Sequence, residues 1–371
     1  MNRIDSLDWQ RGLLAFAIMT YHLTGWELFS LDSSSTLGRL GIYGVSMFFV
    51  LSGLSMAVVY HKYIEDAGSS MRFFVRRVFR IWPLLWFAVV FATGAALLAG
   101  QSPNKLVILL NLTTSFGFVQ PSAYINVGAW SIGNEMVYYA FTPLFIWAYN
   151  TRAACGNLLT GLACVVGLWF STNLLTVDKS LADQWVQYIN PFNNLFLYCA
   201  GIAIYYNTKD LVVSTRVNLM CFVAALATFI FYPAVGDQIH IVSGAGRVVF
   251  SLASVLLVFA FYKNTVQIPQ IIGVPLTHLG AITYGVYLLH PIAYRAIIFV
   301  LKKIHMELPP YAMISGTMAS TIILALLSFR LLEEPFIRLG KRSTARYRAG
   351  QQPDFDVPAL ATPVHPPRPP A

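Results

Sequence analysis

Long apolar runs separated by short polar segments dominate the chain from about residue 8 to residue 331. A membrane-spanning helix needs about 17–25 mainly apolar residues, and ten runs have roughly this length. They cover residues 8–29, 40–60, 80–99, 127–149, 153–172, 189–206, 217–234, 246–262, 280–301 and 311–331. The pattern therefore predicts an all-α fold, a polytopic membrane bundle of about ten transmembrane helices.

Two segments do not fit this pattern. The apolar stretch 106–118 is short and contains Asn111 and Thr113, so we expect a re-entrant or interfacial segment. The end of the chain is basic, rich in proline and without apolar periodicity. We therefore predict a membrane domain over residues 1–340 and a disordered cytoplasmic tail over residues 341–371.

Charge and composition support the membrane assignment. Only 11% of residues are charged, whereas soluble domains carry about 25%. A net charge of +9 in a soluble chain would suggest nucleic-acid binding. Here the loops on the side of the two termini hold about three times as many Lys and Arg residues as the opposite loops. The positive-inside rule then places both termini in the cytoplasm, and no nucleic-acid partner is expected.

The four cysteines are expected to behave as small apolar residues. Their spacing fits no metal site, and we predict neither a metal nor a disulfide. They are Cys155, Cys164, Cys199 and Cys221. The first apolar run lacks a basic leader and a small-residue cleavage site, so we expect a span and not a cleaved signal.

The segment RGLLAFAIMTYH places Arg11 and His22 in the first predicted span. Eleven residues turn a helix by about 1100°, so both side chains share one face about 16 Å apart. We expect Arg11 at the cytoplasmic mouth and His22 inside the membrane. A desolvated imidazole favours its neutral form, which can accept a proton. From these two residues alone, a structural histidine with a snorkelling arginine is the favoured alternative.

The segment MRFFVRRVFRIWP, residues 71–83, carries Arg72, Arg76 and Arg80 at helical spacing on one face, with Arg77 directed elsewhere. Such a row could anchor the helix at anionic headgroups. It could equally bind phosphates, which suit the guanidinium fork. Spacing alone favours neither interpretation.

The segment NVGAWSIGNEMVYY, residues 126–139, contains the intramembrane acid Glu135. Ser131 and either Tyr138 or Tyr139 can share its helix face. A carboxylate at this depth needs a cation, a histidine or a proton, and His22 or an arginine would serve. A purely structural ion pair is the alternative.

Three further segments give weaker signals. Serines and Gly53 within 46–56 indicate close helix packing. His290 precedes Pro291 in a span, which by default indicates a kink with a polar contact. Glu333 and Glu334 lie near arginines at the end of the last span and predict a helix-end salt bridge.

Taken together and in this order, these segments resemble the acyltransferase-3 family of bacterial membrane O-acyltransferases. The resemblance covers about residues 5–340. Ile132 stands where leucine is commoner, and Pro291 comes one place earlier than in the strictest family form. The matching segments are Arg11 and His22 with Asp8 and Gly12, FFVLSG at 48–53, RRVFRIWP at 76–83, WSIGNEMVYY at 130–139, YLLHPI at 287–292 and EEP at 333–335.

The resemblance implies transfer of an acyl group, usually acetyl, from cytoplasmic acyl-coenzyme A to a hydroxyl of a surface or exported carbohydrate. It also implies a place in the bacterial cytoplasmic (inner) membrane. The acceptor could be an exopolysaccharide, a lipopolysaccharide O-antigen, a periplasmic glucan or a small sugar-bearing molecule. Since the chain lacks the C-terminal hydrolase-like domain of longer members, we expect direct transfer by the membrane domain.

The family histidine maps onto His22, which we expect to act as general base, with Glu135 orienting or charge-stabilising it. The expected residues for coenzyme A are Arg11, Arg72, Arg76 and Arg80. We expect the pantetheine arm to run along the face shared by Arg11 and His22. Candidate substrate-binding or supporting residues are Asp8, Ser131, Tyr138, Tyr139 and His290.

A non-enzyme alternative is a transporter of a carbohydrate or a lipid-linked sugar. Buried arginine, histidine and glutamate could line a translocation path. The sequence shows no inverted repeat of the kind that many transporters have, and the motif order favours the enzyme. The sequence does not predict an oligomeric state.

Overall fold

A computed structural model describes residues 4–345, and within this range the fold is entirely helical, without strands. Two π-helical turns, Phe170–Leu174 and Phe329–Glu333, continue helices α7 and α15. The α-helices are α1 Asp5–Glu27, α2 Thr36–Tyr60, α3 Ala67–Leu98, α4 Lys105–Leu112, α5 Phe116–Val119, α6 Ala129–Thr151, α7 Ala153–Trp169, α8 Trp185–Tyr188, α9 Pro191–Thr208, α10 Thr215–Phe231, α11 Ile239–Val242, α12 Gly244–Tyr262, α13 Gln270–Ala281, α14 Thr283–Lys303, α15 Pro310–Ser328 and α16 Glu334–Ala345.

Six helical segments in the described range are long and apolar enough to cross a membrane. They are Thr36–Tyr60, Ala67–Leu98, Ala153–Leu174, Gly244–Tyr262, Thr283–Lys303 and Pro310–Ala345. The prediction of an all-helical integral membrane protein is confirmed. The count of ten spans and the cytoplasmic termini stay predictions.

The four other predicted spans coincide with α1, α6, α9 and α10. Helix α10 is apolar but has only 17 residues. Polar side chains reduce the hydropathy of two others, because α1 carries Asp5, Asp8 and Arg11 and α6 carries Asn134 and Glu135. These polar positions include several of the candidate site residues.

The two segments that were predicted to lie outside the spans, residues 106–118 and the tail, are partly helical. The stretch 106–118 forms most of α4 and α5, which are separated by a turn where Thr114 has a φ of 58°. Residues 341–345 of the predicted tail form the end of helix α16. The remainder of that predicted tail lies outside the described residues.

Helices α2 and α9 approach each other closely at two glycines. A Cβ atom on Gly53 would lie 1.9 Å from the carbonyl oxygen of Tyr198. A Cβ atom on Gly201 would lie 2.0 Å from the carbonyl oxygen of Val50. Small residues permit such backbone contact between membrane helices. The sequence prediction of close packing at Gly53 is therefore confirmed, and this contact fixes the position of α2.

We expect Gly53→Ala to destabilise the protein by about 1–3 kcal/mol, because the added methyl group forces α2 and α9 apart. Gly161→Ala on α7 is the matched control, since no atom lies within 4 Å of the added Cβ position. Thermal unfolding of the two purified variants would measure the difference. Equal midpoints would contradict a tight α2–α9 contact.

Helix α1 runs parallel to the consecutive helices α13 and α14. Residues of α1 contact residues of α13 and α14 at a constant offset in sequence. The indole nitrogen of Trp9 donates a hydrogen bond to Thr277 Oγ1 at 2.9 Å. Further along, His22 contacts His290, and the rings of Trp26 and Tyr294 lie 4.8 Å apart. Each pair is separated by the same 268 residues in sequence. This register brings the histidine of α1 to the level of the histidine of α14.

Candidate active site

Two histidines meet in the interior of the bundle. Nδ1 of His22 lies 2.9 Å from Nε2 of His290, and the two rings are nearly parallel with centroids 5.1 Å apart. His290 is completely buried, whereas His22 is partly exposed. The pair therefore has an inner member that is closed in by protein and an outer member that a substrate can approach.

The hydrogen bonds of the pair define which nitrogen of each ring carries a proton when both are neutral. Nδ1 of His290 lies 3.1 Å from the carbonyl oxygen of Val286, which can only accept. Nδ1 of His290 is therefore protonated, and its Nε2 is an acceptor. Nδ1 of His22 must then donate to it. This arrangement leaves Nε2 of His22 with a lone pair, as a general base requires.

Trp26 covers one side of the histidine pair. Its ring stacks on His22 with centroids 5.4 Å apart and an interplanar angle of 6°. It also lies 6.0 Å from the ring of His290 and 4.8 Å from that of Tyr294. The stacking fixes the plane of the His22 ring and places an aromatic wall next to it.

Glu135 does not contact His22 and instead belongs to a group between α2 and α6. Ser52 donates a hydrogen bond to Glu135 Oε1 at 2.5 Å, and Tyr139 donates another to the same oxygen. The guanidinium of Arg77 lies 5.9 Å from the ring centroid of Tyr139. His290, and not Glu135, therefore occupies the position from which the His22 ring is oriented.

Arg11 is held at one end of α1 by two partners. Its Nη1 donates to Asp8 Oδ1 at 2.9 Å, and its Nη2 donates to Ser55 of α2. About a quarter of the Arg11 side chain is exposed. Asp8 thus positions Arg11, which can still reach a ligand.

The helix face that Arg11 shares with His22 is filled by protein. Ala15 and Ile18 lie on that face by helical spacing, and both are completely buried. The predicted path for a pantetheine arm along this face therefore has no space. The reason is close packing, since a Cβ on Gly44 of α2 would lie 2.9 Å from Ile18.

A line of partly exposed residues runs instead along one face of α2. Between residues 41 and 57 every side chain of α2 is buried except Phe48, Ser52 and Ser55. Their spacing places them on one stripe. Glu135, the one partly exposed residue between 129 and 139, joins this stripe through its bond to Ser52. The stripe ends at Ser55, which accepts from Arg11.

Phe48, at the inner end of this stripe, packs against Tyr287, which lies beside His290. The rings of Phe48 and Tyr287 are 6.2 Å apart in an edge-to-face arrangement, and the Tyr287 ring is 6.4 Å from that of His290. The Tyr287 hydroxyl is close to Ser131, at 2.9 Å, and donates to the carbonyl of Gly128 at 3.0 Å. Ser131 thus supports the α6–α14 contact beside the pair.

The three arginines that share a face of α3 have different partners. Arg80 is exposed and close enough to Arg11 and Glu333 to interact electrostatically with both. Arg76 donates from Nε to Thr344 Oγ1 at 2.8 Å and is thereby tied to α16. Arg72 is close enough to Asp66, at the start of α3, for an electrostatic attraction. The shared phosphate-binding row stays a prediction, and Arg80 beside Arg11 is its exposed member.

Arg77, which spacing directed away from the site, is buried next to it. Nη2 of Arg77 donates to the Tyr60 hydroxyl at 2.8 Å, which holds the guanidinium beside α2. Tyr138, a candidate substrate-binding or supporting residue, instead donates to the carbonyl of Pro191 at 2.9 Å and contacts α9. Of the two adjacent tyrosines, Tyr139 is therefore the one that belongs to the Glu135 group.

The carboxylates at the end of the last predicted span differ in role. Glu334 forms the predicted helix-end salt bridge with Arg338 at 2.7 Å. Glu333 is buried, with 3% of its surface exposed, near Arg80. Among the residues that the structure describes, no group of three or more His, Cys, Asp or Glu side chains is placed to hold a metal ion.

A family model described as "Acyltransferase domain" matches residues 4–330, nearly all of the chain. The chain belongs to the acyltransferase-3 family. The resemblance seen in the sequence motifs is thereby confirmed. No solved structure matches the chain.

Curated relatives are similar over most of this chain. Peptidoglycan O-acetyltransferase OatA of Listeria monocytogenes is 22% identical over 91% of this chain and 56% of its own length. A Staphylococcus aureus (strain COL) protein named as an O-acetyltransferase, SACOL0978, is 22% identical over 96% of this chain and 60% of its own length. A Komagataeibacter xylinus protein named as a membrane-bound transacylase, BcsY, is 25% identical over 90% and 82%. The chain thus spans only about three-fifths of the first two relatives.

Some residues of this acyltransferase-3 site were missed by sequence reasoning. Ser52 and Ser55 lie in the family-like segment at 48–53 and just beyond it, but the segment indicated only helix packing. Trp26 follows His22 by four residues, a spacing that could have placed it over the imidazole. Arg77 gave no signal, because its burial depends on contacts with α2 and α6.

Proposed function

We propose that the protein is a membrane O-acyltransferase that moves an acyl group, in the common case acetyl, from acyl-coenzyme A to a hydroxyl of an exported or surface carbohydrate. The histidine pair carries the proposal, because its hydrogen bonds leave Nε2 of His22 as a free base. Family membership and relatives named as O-acetyltransferases support the reaction class.

The donor would enter along the partly exposed stripe of α2. Arg11 and the exposed Arg80 lie near its outer end and suit the phosphates of coenzyme A. The pantetheine arm would follow Ser55 and Ser52 towards Phe48. Because Phe48 and Tyr287 lie between this stripe and the histidines, the thioester would reach His22 only when these two rings separate.

The chemistry follows from a base next to a thioester. Nε2 of His22 removes the proton from the acceptor hydroxyl as its oxygen attacks the thioester carbonyl carbon. The tetrahedral intermediate collapses when the carbon–sulfur bond breaks, and the imidazolium returns its proton to the departing coenzyme A thiolate. His290 accepts from Nδ1–H throughout and so keeps Nε2 directed at the reacting atoms.

We further propose ten spans with both termini in the cytoplasm of a bacterium, in its inner membrane. Parallel packing of α1 with α14 supports this topology, since in a ten-span chain they are the first and ninth spans and run in the same direction. Arg11 and Arg80 then face the cytoplasm, where coenzyme A is found.

Incubation of the purified, reconstituted protein with acetyl-coenzyme A labelled in the acetyl group would test the function. Alkali-labile label should appear on exopolysaccharide or O-antigen added as acceptor. Label that never reaches carbohydrate, in protein shown to be folded, would contradict the proposal. Uptake of the same carbohydrate into vesicles without labelling would favour the transporter.

The proposed donor site predicts that Arg80→Ala raises KM for acetyl-coenzyme A about tenfold, since a charge-assisted hydrogen bond is lost. The acceptor KM should stay constant. Arg152→Ala is a matched control, because Arg152 is also an exposed arginine expected on the cytoplasmic side. If both variants keep the wild-type KM in steady-state kinetics, Arg80 does not bind the donor.

A further inference from the structure

A cavity lies beyond the histidine pair, at the end of α1 opposite to Arg11. Its volume is about 460 Å³, and it opens to the surface. Its walls come from the end of α1, the segment before α6 and the second half of α14. The lining residues are Gly25, Trp26, Val127, Pro291, Tyr294 and Arg295.

The cavity and the histidine pair share a wall. Trp26 lines the cavity and stacks on His22, and Pro291 follows His290 directly in the chain. Only the ring of Trp26 therefore lies between a ligand in the cavity and His22 on this side. The α2 stripe beside Arg11 lies towards the other end of α1, so it is separate from this cavity.

The side chains of the cavity suit a carbohydrate. Trp26 and Tyr294 offer aromatic faces, on which the apolar C–H face of a sugar ring can stack. Arg295 is exposed and supplies several N–H donors in a fixed plane for hydroxyl oxygens. The Glu27 carboxylate lies close to Tyr294 and can accept from sugar hydroxyls. Small-ligand sites combine such apolar walls with a few polar groups in volumes of about 300–1,000 Å³.

We propose that this cavity binds the carbohydrate acceptor, with Trp26 and Tyr294 stacking on a sugar ring and Arg295 bonding its hydroxyls. This assignment rests on the proposed acyl transfer and adds the acceptor site to it. Donor and acceptor approach His22 from opposite ends of α1. The acyl group thereby passes from a cytoplasmic thioester to a hydroxyl on the other face of the membrane. Neither the donor nor the acceptor molecule crosses the membrane.

Binding of a defined sugar probe to the full-length protein in nanodiscs would test the site. Saturation-transfer NMR with chitotetraose measures binding without any acyl transfer. We expect Arg295→Ala and Tyr294→Ala each to weaken binding about tenfold, as loss of a hydrogen bond to a charged group or of an aromatic contact does. Trp26 is left intact, because it also fixes the ring of His22.

Two matched controls separate the site from general surface effects. Lys302→Ala removes an exposed cation from the same helix, and Tyr311→Ala removes an exposed tyrosine from α15. Both should bind chitotetraose like the wild type. Equal affinity in all variants, or no saturable binding to the wild type, would overturn the proposal. Arg295-dependent binding of phosphatidylglycerol vesicles without sugar binding would show a lipid-headgroup site and would also overturn it.

The same variants distinguish this inference from the proposed function. His22→Ala should keep chitotetraose binding, because the cavity wall remains. If the wild type binds the sugar at Arg295 and Tyr294 but never transfers label, the acceptor cavity stands and acyl transfer fails. If label is transferred while the cavity variants keep the wild-type acceptor KM, acyl transfer stands and the cavity assignment fails.

Discussion

Replacing His22 with alanine is expected to lower acyl transfer by about 10²–10⁴-fold, the range that a positioned general base contributes. The free Nε2 is the group that takes the hydroxyl proton, and no other imidazole nitrogen of the pair is available. His290 is completely buried, and its Nδ1 is directed at the Val286 carbonyl. It therefore cannot replace the missing base.

Steady-state transfer of labelled acetyl to carbohydrate would measure this loss, with donor binding recorded separately. Because Arg11 and Arg80 are untouched, the affinity for acetyl-coenzyme A should change by less than about twofold. His278→Ala is the control, since His278 is an exposed histidine on α13. A folded His22→Ala protein with more than a tenth of the wild-type rate would contradict the base role.

The helical fold could be predicted because apolar length is a local property. Each of the ten predicted spans coincides with a helix. Four of these helices are not both long and apolar enough to be recognised as spans. Polar residues such as Arg11 and Glu135 lower the hydropathy of some, and α10 is a little short. A bundle can bury polar side chains against neighbouring helices, so local hydropathy underestimates its spans.

The candidate site was only partly predictable, for a related reason. Spacing placed His22 and Arg11 on one helix face, and Glu135 and His290 stood out as polar residues within predicted spans. Which of them touch depends on how helices that are far apart in sequence pack together. His22 and His290 are separated by 268 residues, and local periodicity carries no information about that contact.

The path proposed for the donor also depends on packing between helices, which helical spacing does not predict. Helical arithmetic places Arg11 and His22 on one face, but that face is packed against α2 through Ile18 and Gly44. The open stripe instead lies on α2, at Phe48, Ser52 and Ser55. Its exposure results from the position of α2, which the Gly53 and Gly201 contacts with α9 determine.

Replacing His290 with phenylalanine is expected to lower kcat by about 5- to 150-fold, because Nδ1–H of His22 then loses its buried acceptor. The imidazole proton can move to Nε2, the nitrogen that must act as base. Phenylalanine keeps the stacking on His22 and Trp26, so packing alone predicts little change. KM for both substrates should stay constant, since neither the arginines nor the cavity is altered.

Replacing His290 with glutamine should restore most of the rate, because the amide oxygen can accept from His22 Nδ1 at the place of the imidazole Nε2. Comparing kcat and KM for the two variants, with thermal unfolding as a check on folding, separates positioning from packing. If glutamine and phenylalanine reduce kcat equally in folded protein, the hydrogen bond between the histidines has no part in catalysis. A rescue by glutamine alone would assign His290 the task of holding His22 in the tautomer that accepts the hydroxyl proton.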